Sequence, residues 1–157
     1  MATAVTSQKI ASKMAIESYD HDPGATTAVV TSADGGTTPK YVAMRDFGAF
    51  GVQARPTVVG GDGITLLEIV GATDAAGTNV TLILAHAATV TNVLGEYVWL
   101  EVTDEQINEV GKAAGYNFTH VAARLTMATS TDEANVTYVR TMPKRAYANL
   151  TATNVAA

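Results

Sequence analysis

Every apolar run in this 157-residue chain is short, and each is cut off by glycine, proline or a cluster of Asp, Asn, Ser and Thr. The runs are rich in Val, Ile and Thr, and their interruptions recur at roughly the 8–12-residue spacing that marks an all-β sandwich or barrel. Residues Ile64-Thr65-Leu66-Leu67-Glu68-Ile69-Val70-Gly71-Ala72 follow the tight turn Gly60-Gly61-Asp62-Gly63, and are too short and too β-branched for a helix. A buried strand is expected there, and another over Asn79 to His86. Over Glu96 to Val102 the pattern alternates, with Val98, Leu100 and Val102 on one face.

The strongest alternation lies further on. Thr119, Val121, Ala123, Leu125 and Met127 point one way, and His120, Ala122, Arg124 and Thr126 the other. If the odd-numbered face is buried, Val121→Asp unfolds the domain and Arg124→Ser has little effect. Thr129 to Glu133 supplies a turn and Asn135 to Thr141 a returning strand, so a hairpin is expected, ended by Pro143. Earlier in the chain, Lys9 to Glu17 fits strand or helix, with Asp20-His21-Asp22-Pro23-Gly24 as the closing turn. Short runs follow at Thr27 to Thr31 and at Lys40 to Phe47, the second ended by Gly48, Gly51 and Pro56.

One helix is legible. Thr103-Asp104-Glu105-Gln106 is a capping box, in which the hydroxyl accepts from the amide three residues on and Gln106 reaches back. Asp104 and Glu105 sit where the helix dipole favours negative charge. Ile107, Val110 and Ala114 share a face, with Gly111 and Gly115 as possible ends, so about ten residues of helix should lie across one end of a sheet. The expected fold is mainly β: an antiparallel β-sandwich or jelly-roll-like barrel with one short helix near 103–114. It forms a single domain over 1–157, with arms at 1–8 and 150–157 that can order on a partner.

Charged residues make up only 16% of the chain against the usual quarter or so, and apolar residues 47%. A surface so poor in charge suits burial against neighbouring subunits. The net charge is −5, which gives no global attraction to nucleic-acid phosphates. Arg140, Lys144 and Arg145 form the local basic cluster and read as an interface or a solvated tail. The absence of cysteine excludes a disulfide scaffold and zinc-thiolate sites. The opening residues lack a basic region followed by an apolar stretch, so no signal peptide is expected and synthesis in a cytoplasm is. No apolar run approaches the roughly 20 residues that span a bilayer.

The residue types that carry chemistry are scattered. His21, His86 and His120 are isolated; His21 between Asp20 and Asp22 resembles a ligand cluster but reads better as a solvated turn. No serine sits in a Gly-x-Ser-x-Gly elbow. The Gly60 to Gly63 loop lacks the lysine and hydroxyl of a phosphate loop and precedes a strand, so a hairpin turn is the better account. Asp20, Asp22, Asp34, Asp62 and Asp74 could offer calcium hard oxygens, without EF-hand spacing. Asn-x-Thr triplets at Asn79, Asn117, Asn135 and Asn149 read as chance in a threonine-rich chain. Trp99, Tyr97, Tyr138 and Tyr147 fit a core or an interface better than a sugar-stacking platform. No catalytic, cofactor-binding or metal-binding residue is assigned.

Three stretches carry a resemblance. They are the Ala/Thr/Lys-rich opening around Lys9 to Glu17, the strand Ile64 to Ala72 with its small-residue loop, and the closing third. That third runs from Tyr97-Val98-Trp99-Leu100-Glu101-Val102 through Phe118-Thr119-His120-Val121-Ala122-Ala123-Arg124-Leu125-Thr126 to Lys144-Arg145-Ala146-Tyr147. Their texture resembles the small β-sandwich proteins of tailed-bacteriophage virions, especially the capsid decoration, or cement, proteins. The resemblance implies a non-enzymatic structural protein of the capsid surface, made in the bacterial host cytoplasm. Its implied partners are the major capsid protein and further copies of itself in a homo-oligomer, with no nucleic acid, membrane or cofactor. A neck or tail-tube ring subunit is the alternative, and a carbohydrate-binding or adhesion module, with Trp99 and the tyrosines exposed, is the second.

Overall fold

The computed structural model describes residues 14–21, 29–30, 38–86 and 92–143. Among them lie nine strands and one helix: β1 (Ala15–His21), β2 (Val29–Val30), β3 (Val42–Ala43), β4 (Phe47–Val58), β5 (Ile64–Ala72), β6 (Thr81–His86), β7 (Val98–Thr103), α1 (Asp104–Ala114), β8 (His120–Met127) and β9 (Glu133–Pro143). They form an antiparallel β-sandwich. Sheet A has the order β1-β9-β4-β7; in sheet B the order is β2-β8-β5-β6, and β3 pairs with β8 beside β2.

The pairing is nested. With β2 and β3 sharing one place along the edge of β8, the first strand pairs with the last, the second with the next to last, β4 with β7, and β5 with β6. The folded ribbon closes sideways through β4·β9 in sheet A and β5·β8 in sheet B. The expected hairpin of β8 and β9 is therefore corrected. These strands are adjacent in sequence but belong to opposite sheets, and the turn between them carries the chain across the sandwich.

The expected alternation decides which face is buried. Val121, Ala123, Leu125 and Met127 from β8, with Ile64, Leu67 and Ile69 from β5, meet Phe50, Val52 and Ala54 from β4 and Ala134, Val136 and Tyr138 from β9. Strand β4 departs from expectation by running through Gly48, Gly51 and Pro56. Pro56 sits where the register with β9 shifts before Val58, an irregularity that tolerates a residue without an amide proton. Asp20 and His21 are likewise in strand β1 and not in a turn, because β1 stays paired with β9 as far as His21↔Ala134. Residues 22–24, most of the Lys9–Glu17 run and both proposed arms lie outside the described residues.

Tyr138 ties the layers together. Its buried ring meets Tyr19 and Phe50 edge-on, with centroids 5.2 and 5.1 Å away. Its hydroxyl accepts from Ala123 N at 2.8 Å and donates to Lys40 O at 3.3 Å. The first of these bonds falls on β8 between the residues that pair with β3 and β2, Val121 and Arg124.

Each end of the sandwich is closed differently. At one end α1 begins at Thr103, whose side chain accepts from Gln106 N while Gln106 accepts from Thr103 N, and stops at Gly115 in the left-handed conformation. Ile107 and Phe118 carry this end into the core. Gly111, read as a possible helix end, is a buried contact inside the helix: a Cβ there would lie 2.8 Å from Tyr116 O. At the other end the carboxylate of Asp132, fully buried, accepts from Gly60 N at 2.7 Å, Gly61 N at 2.9 Å and Thr129 N at 2.9 Å. The Gly60–Gly63 loop thus does cradle an anion, but the anion belongs to the chain. Both glycines are closely packed: a Cβ would fall 2.0 Å from Thr131 Oγ1 at Gly60 and 2.4 Å from Thr129 Cγ2 at Gly61, so those threonine side chains would have to shift.

Burial alone would raise the Asp132 pKa, but the amides of Gly61, Thr129 and Gly60 outweigh it and hold the carboxyl below the ordinary range. A depressed folded-state value means the carboxylate adds stability that is complete above the unfolded value of about 4. That stability is lost as pH falls through the folded value. Asp132→Asn is expected to reduce the difference between urea midpoints measured at pH 7 and pH 3, and to lower stability at pH 7 by about 1–3 kcal/mol. Tyr138→Phe removes both cross-layer hydrogen bonds and is expected to cost about 1–3 kcal/mol in the same unfolding measurement, with m unchanged.

Candidate functional site

Two surface features stand out from the packed interior. One is a cleft of about 450 Å³ at the α1 end, lined by Ala43, Met44 and Arg45 before β4, Asp104 and Asn108 on α1, and Asn117 to His120 entering β8. Within it Thr119 Oγ1 lies 2.8 Å from His120 Nδ1, a spacing that suits a nucleophile and its base. The proton assignment opposes that role. Thr119 Oγ1 also sits 2.6 Å from the Thr73 carbonyl, which can only accept, so the hydroxyl proton goes to Thr73 and the imidazole must donate to threonine. The pair positions the β5–β6 loop against β8. It does not activate an oxygen.

The other histidines and aspartates do not converge. His21 is buried at the end of β1, and His86 ends β6. Asp20 accepts from Asn135 Nδ2 at 3.0 Å across β1 and β9, and Asp74 accepts from Ala76 N and Thr78 N within its own loop. Among the described residues no three His, Asp, Glu or Cys side chains gather as a metal site would require. Asp22, Asp34, Lys144, Arg145, Tyr147 and Asn149 lie outside the described residues. Arg140 is spent on structure: it pairs with Glu17, donates to Ala43 O at 2.9 Å and lies over the Phe47 ring at 4.9 Å. Among the described residues no helix is long and apolar enough to cross a membrane.

The second feature is the outer face of sheet A. Tyr138 belongs to the core, as expected for the aromatic set, but Tyr97 and Trp99 do not: they are 61% and 42% exposed. The correction follows from β7, where Val98 and Val102 are buried, so the odd-numbered residues point outward. The Trp99 ring leans across β4 onto Gly51. A Cβ at Gly51 would sit 2.3 Å from Trp99 Cζ2 and 2.6 Å from Cη2, so glycine leaves room for that edge of the indole. Glycine inside a strand costs roughly 0.5–1 kcal/mol relative to alanine, and at this position the residue creates a seat. Beside it the register sets Ser18, Thr137, Gln53 and Trp99 in one row across the sheet. Asp20, Asn135 and Arg55 form the next.

Comparison with known proteins gives little sequence signal. The chain matches no protein-family model and no curated protein. Among solved structures it aligns with the infectious bursal disease virus VP2 subviral particle at 10% identity and a TM-score of 0.43, covering 85% of this chain and 34% of that one. For the Gt strain of the same virus the values are 12% identity, 85% and 32% coverage and a TM-score of 0.38; for the Gx strain, 10%, 85%, 33% and 0.42. This chain therefore spans about a third of those chains' length. The nested strand order, and not these superpositions, carries the reading developed below.

Outside sheet B lies a smaller cluster that sequence reasoning missed. Tyr41 covers Val70, Ala72 and Ala122, and Gly77 packs on the Tyr41 ring. Next to it Glu68, almost fully buried, accepts from Arg124 Nε at 2.6 Å and from Nη2 at 3.1 Å. Arg124 does lie on the outer face, opposite Glu68 in the β5·β8 register, but it neutralises a carboxylate that has little water. Arg124→Ser is therefore expected to matter, against the sequence-based expectation. The cost should be about 2 kcal/mol in thermal or chemical unfolding, below the roughly 3–5 kcal/mol of a fully buried pair because the guanidinium keeps some water. Glu68→Gln with Arg124→Ser should recover part of it.

Proposed function

We propose that this chain is a non-enzymatic virion structural protein, a jelly-roll subunit that binds and stabilises an assembled bacteriophage head as a decoration protein. The observation that carries the reading is the nested strand order. A two-stranded ribbon folded over so that first pairs with last, and so on inward, is the jelly roll found in viral capsid and lectin domains and in cupins. The cupin use of that fold needs an internal ligand cavity. Here Tyr138, Phe50, Leu67, Ile69 and Leu125 fill the space between the sheets.

Support also comes from the placement of the outermost strands. Ala15 pairs with Arg140, and Phe47 with Pro143, so the start of β1 and the end of β9 both lie at the end that α1 closes. Met14 and Met142 are exposed there. Residues 1–157 form one domain in this reading, with 1–8 and 150–157 acting as arms toward the major capsid protein or a neighbouring copy. A protein that binds the assembled shell and not its free subunits stabilises the shell by mass action. A neck or tail-tube ring is the alternative use of the same subunit.

The test is sedimentation of the purified protein with empty heads of the source phage. The full chain is expected to co-sediment and to raise the temperature at which heads disassemble, whereas removal of 1–8 and 150–157 abolishes both. Rings formed by the protein alone, with no association with heads, would establish the neck or tail role instead.

A further inference from the structure

We propose that the outer face of sheet A binds a neutral glycan, with the Trp99 indole as the stacking surface. This inference does not depend on the shell-binding role. It starts from Gly51, which leaves room for the Cζ2–Cη2 edge of the indole while 42% of the residue stays open to solvent. Tyr97, in the residue just before β7, is more open still. The solvent-exposed part of an indole can stack on the C–H face of a pyranose, whose hydroxyls then meet neighbouring side chains.

The sheet supplies groups at that level. Gln53 is directly opposite Trp99 in the register, with Thr137 and Ser18 beyond it. Ser18 and Thr137 hold each other through their hydroxyls at 2.8 Å, and Asn135 donates to Asp20 at 3.0 Å, so the polar rows are pre-arranged. Each retains further donor or acceptor capacity, since a hydroxyl has two lone pairs and an amide has four bonding positions. Amide, hydroxyl, carboxylate and guanidinium are all represented, and sugar hydroxyls bond to each.

Surface chemistry favours a neutral glycan over other occupants. The exposed apolar groups of this face, Trp99, Tyr97 and Ile16, are set among hydroxyl, amide and charged side chains. Asp20, Arg55 and Glu101 on this face carry mixed charge, which gives no attraction to a polyanion.

Trp99 is the chain's one tryptophan, so its fluorescence reports this face alone. The full chain is to be titrated with neutral oligosaccharides of glucose, mannose, galactose and N-acetylglucosamine, first on an array and then in solution. At least one series is expected to shift the emission. Trp99→Ala should weaken array binding at least tenfold, Trp99→Tyr should keep part of it, and the melting temperature and head co-sedimentation should stay unchanged in both. Three outcomes overturn the proposal: no sugar binds, Trp99→Ala binds as well as the parent, or Trp99→Ala changes the size of the protein in solution. The last would make the face a contact between copies.

Discussion

The two layers of the sandwich are held in register by the Tyr138 side chain, whose ring is packed by residues of its own sheet and whose hydroxyl reaches the backbone of the other. One edge of β8 pairs with two short strands, β3 at Val121 and β2 at Arg124, and between those positions the Ala123 amide donates to the Tyr138 hydroxyl. A phenol delivered from the opposite sheet thus ties β9 to β8 across the core.

The ends follow from that alignment. With β9 placed, Asp132 at its base reaches the amides of the β4–β5 turn, and the other end is left for α1 to close. Surface features are then by-products of strand parity. The parity that sends Val98 and Val102 into the core sends Tyr97 and Trp99 outward, and the parity that buries Leu67 and Ile69 turns Glu68 to the outer side of sheet B, where Arg124 meets it.

What could be read from the sequence was what depends on neighbours in the chain. The capping box of α1, the bounds of β5 and the buried face of β8 are local patterns, and the structure contains each of them. Gly51 and Pro56 were read by their usual roles as strand breakers; only a ring from β7 and a register shift against β9 explain their place inside β4. The same holds for the supposed hairpin. Two alternating runs joined by a turn look alike whether they share a sheet or face each other across a core, and the partners that decide, β5 and β4, lie far away in sequence. Of the candidate site, the aromatic residues were visible and their exposure was not, because Val98 and Trp99 exchange roles if the strand turns over.

Nested pairing also orders assembly. Joining β1 to β9 directly would close a loop of nearly the whole chain, whereas the β5·β6 hairpin closes a short one, and each inner pair shortens the loop left for the next. The least costly course runs from the middle of the sequence outward and adds β1 last. Among the described strands, β1 is an edge strand whose hydrogen-bonded neighbour is β9. If the outermost pair forms last, the place beside β9 is the one left open longest, and β1 of an identical copy presents the same strand to it as the chain's own β1 does.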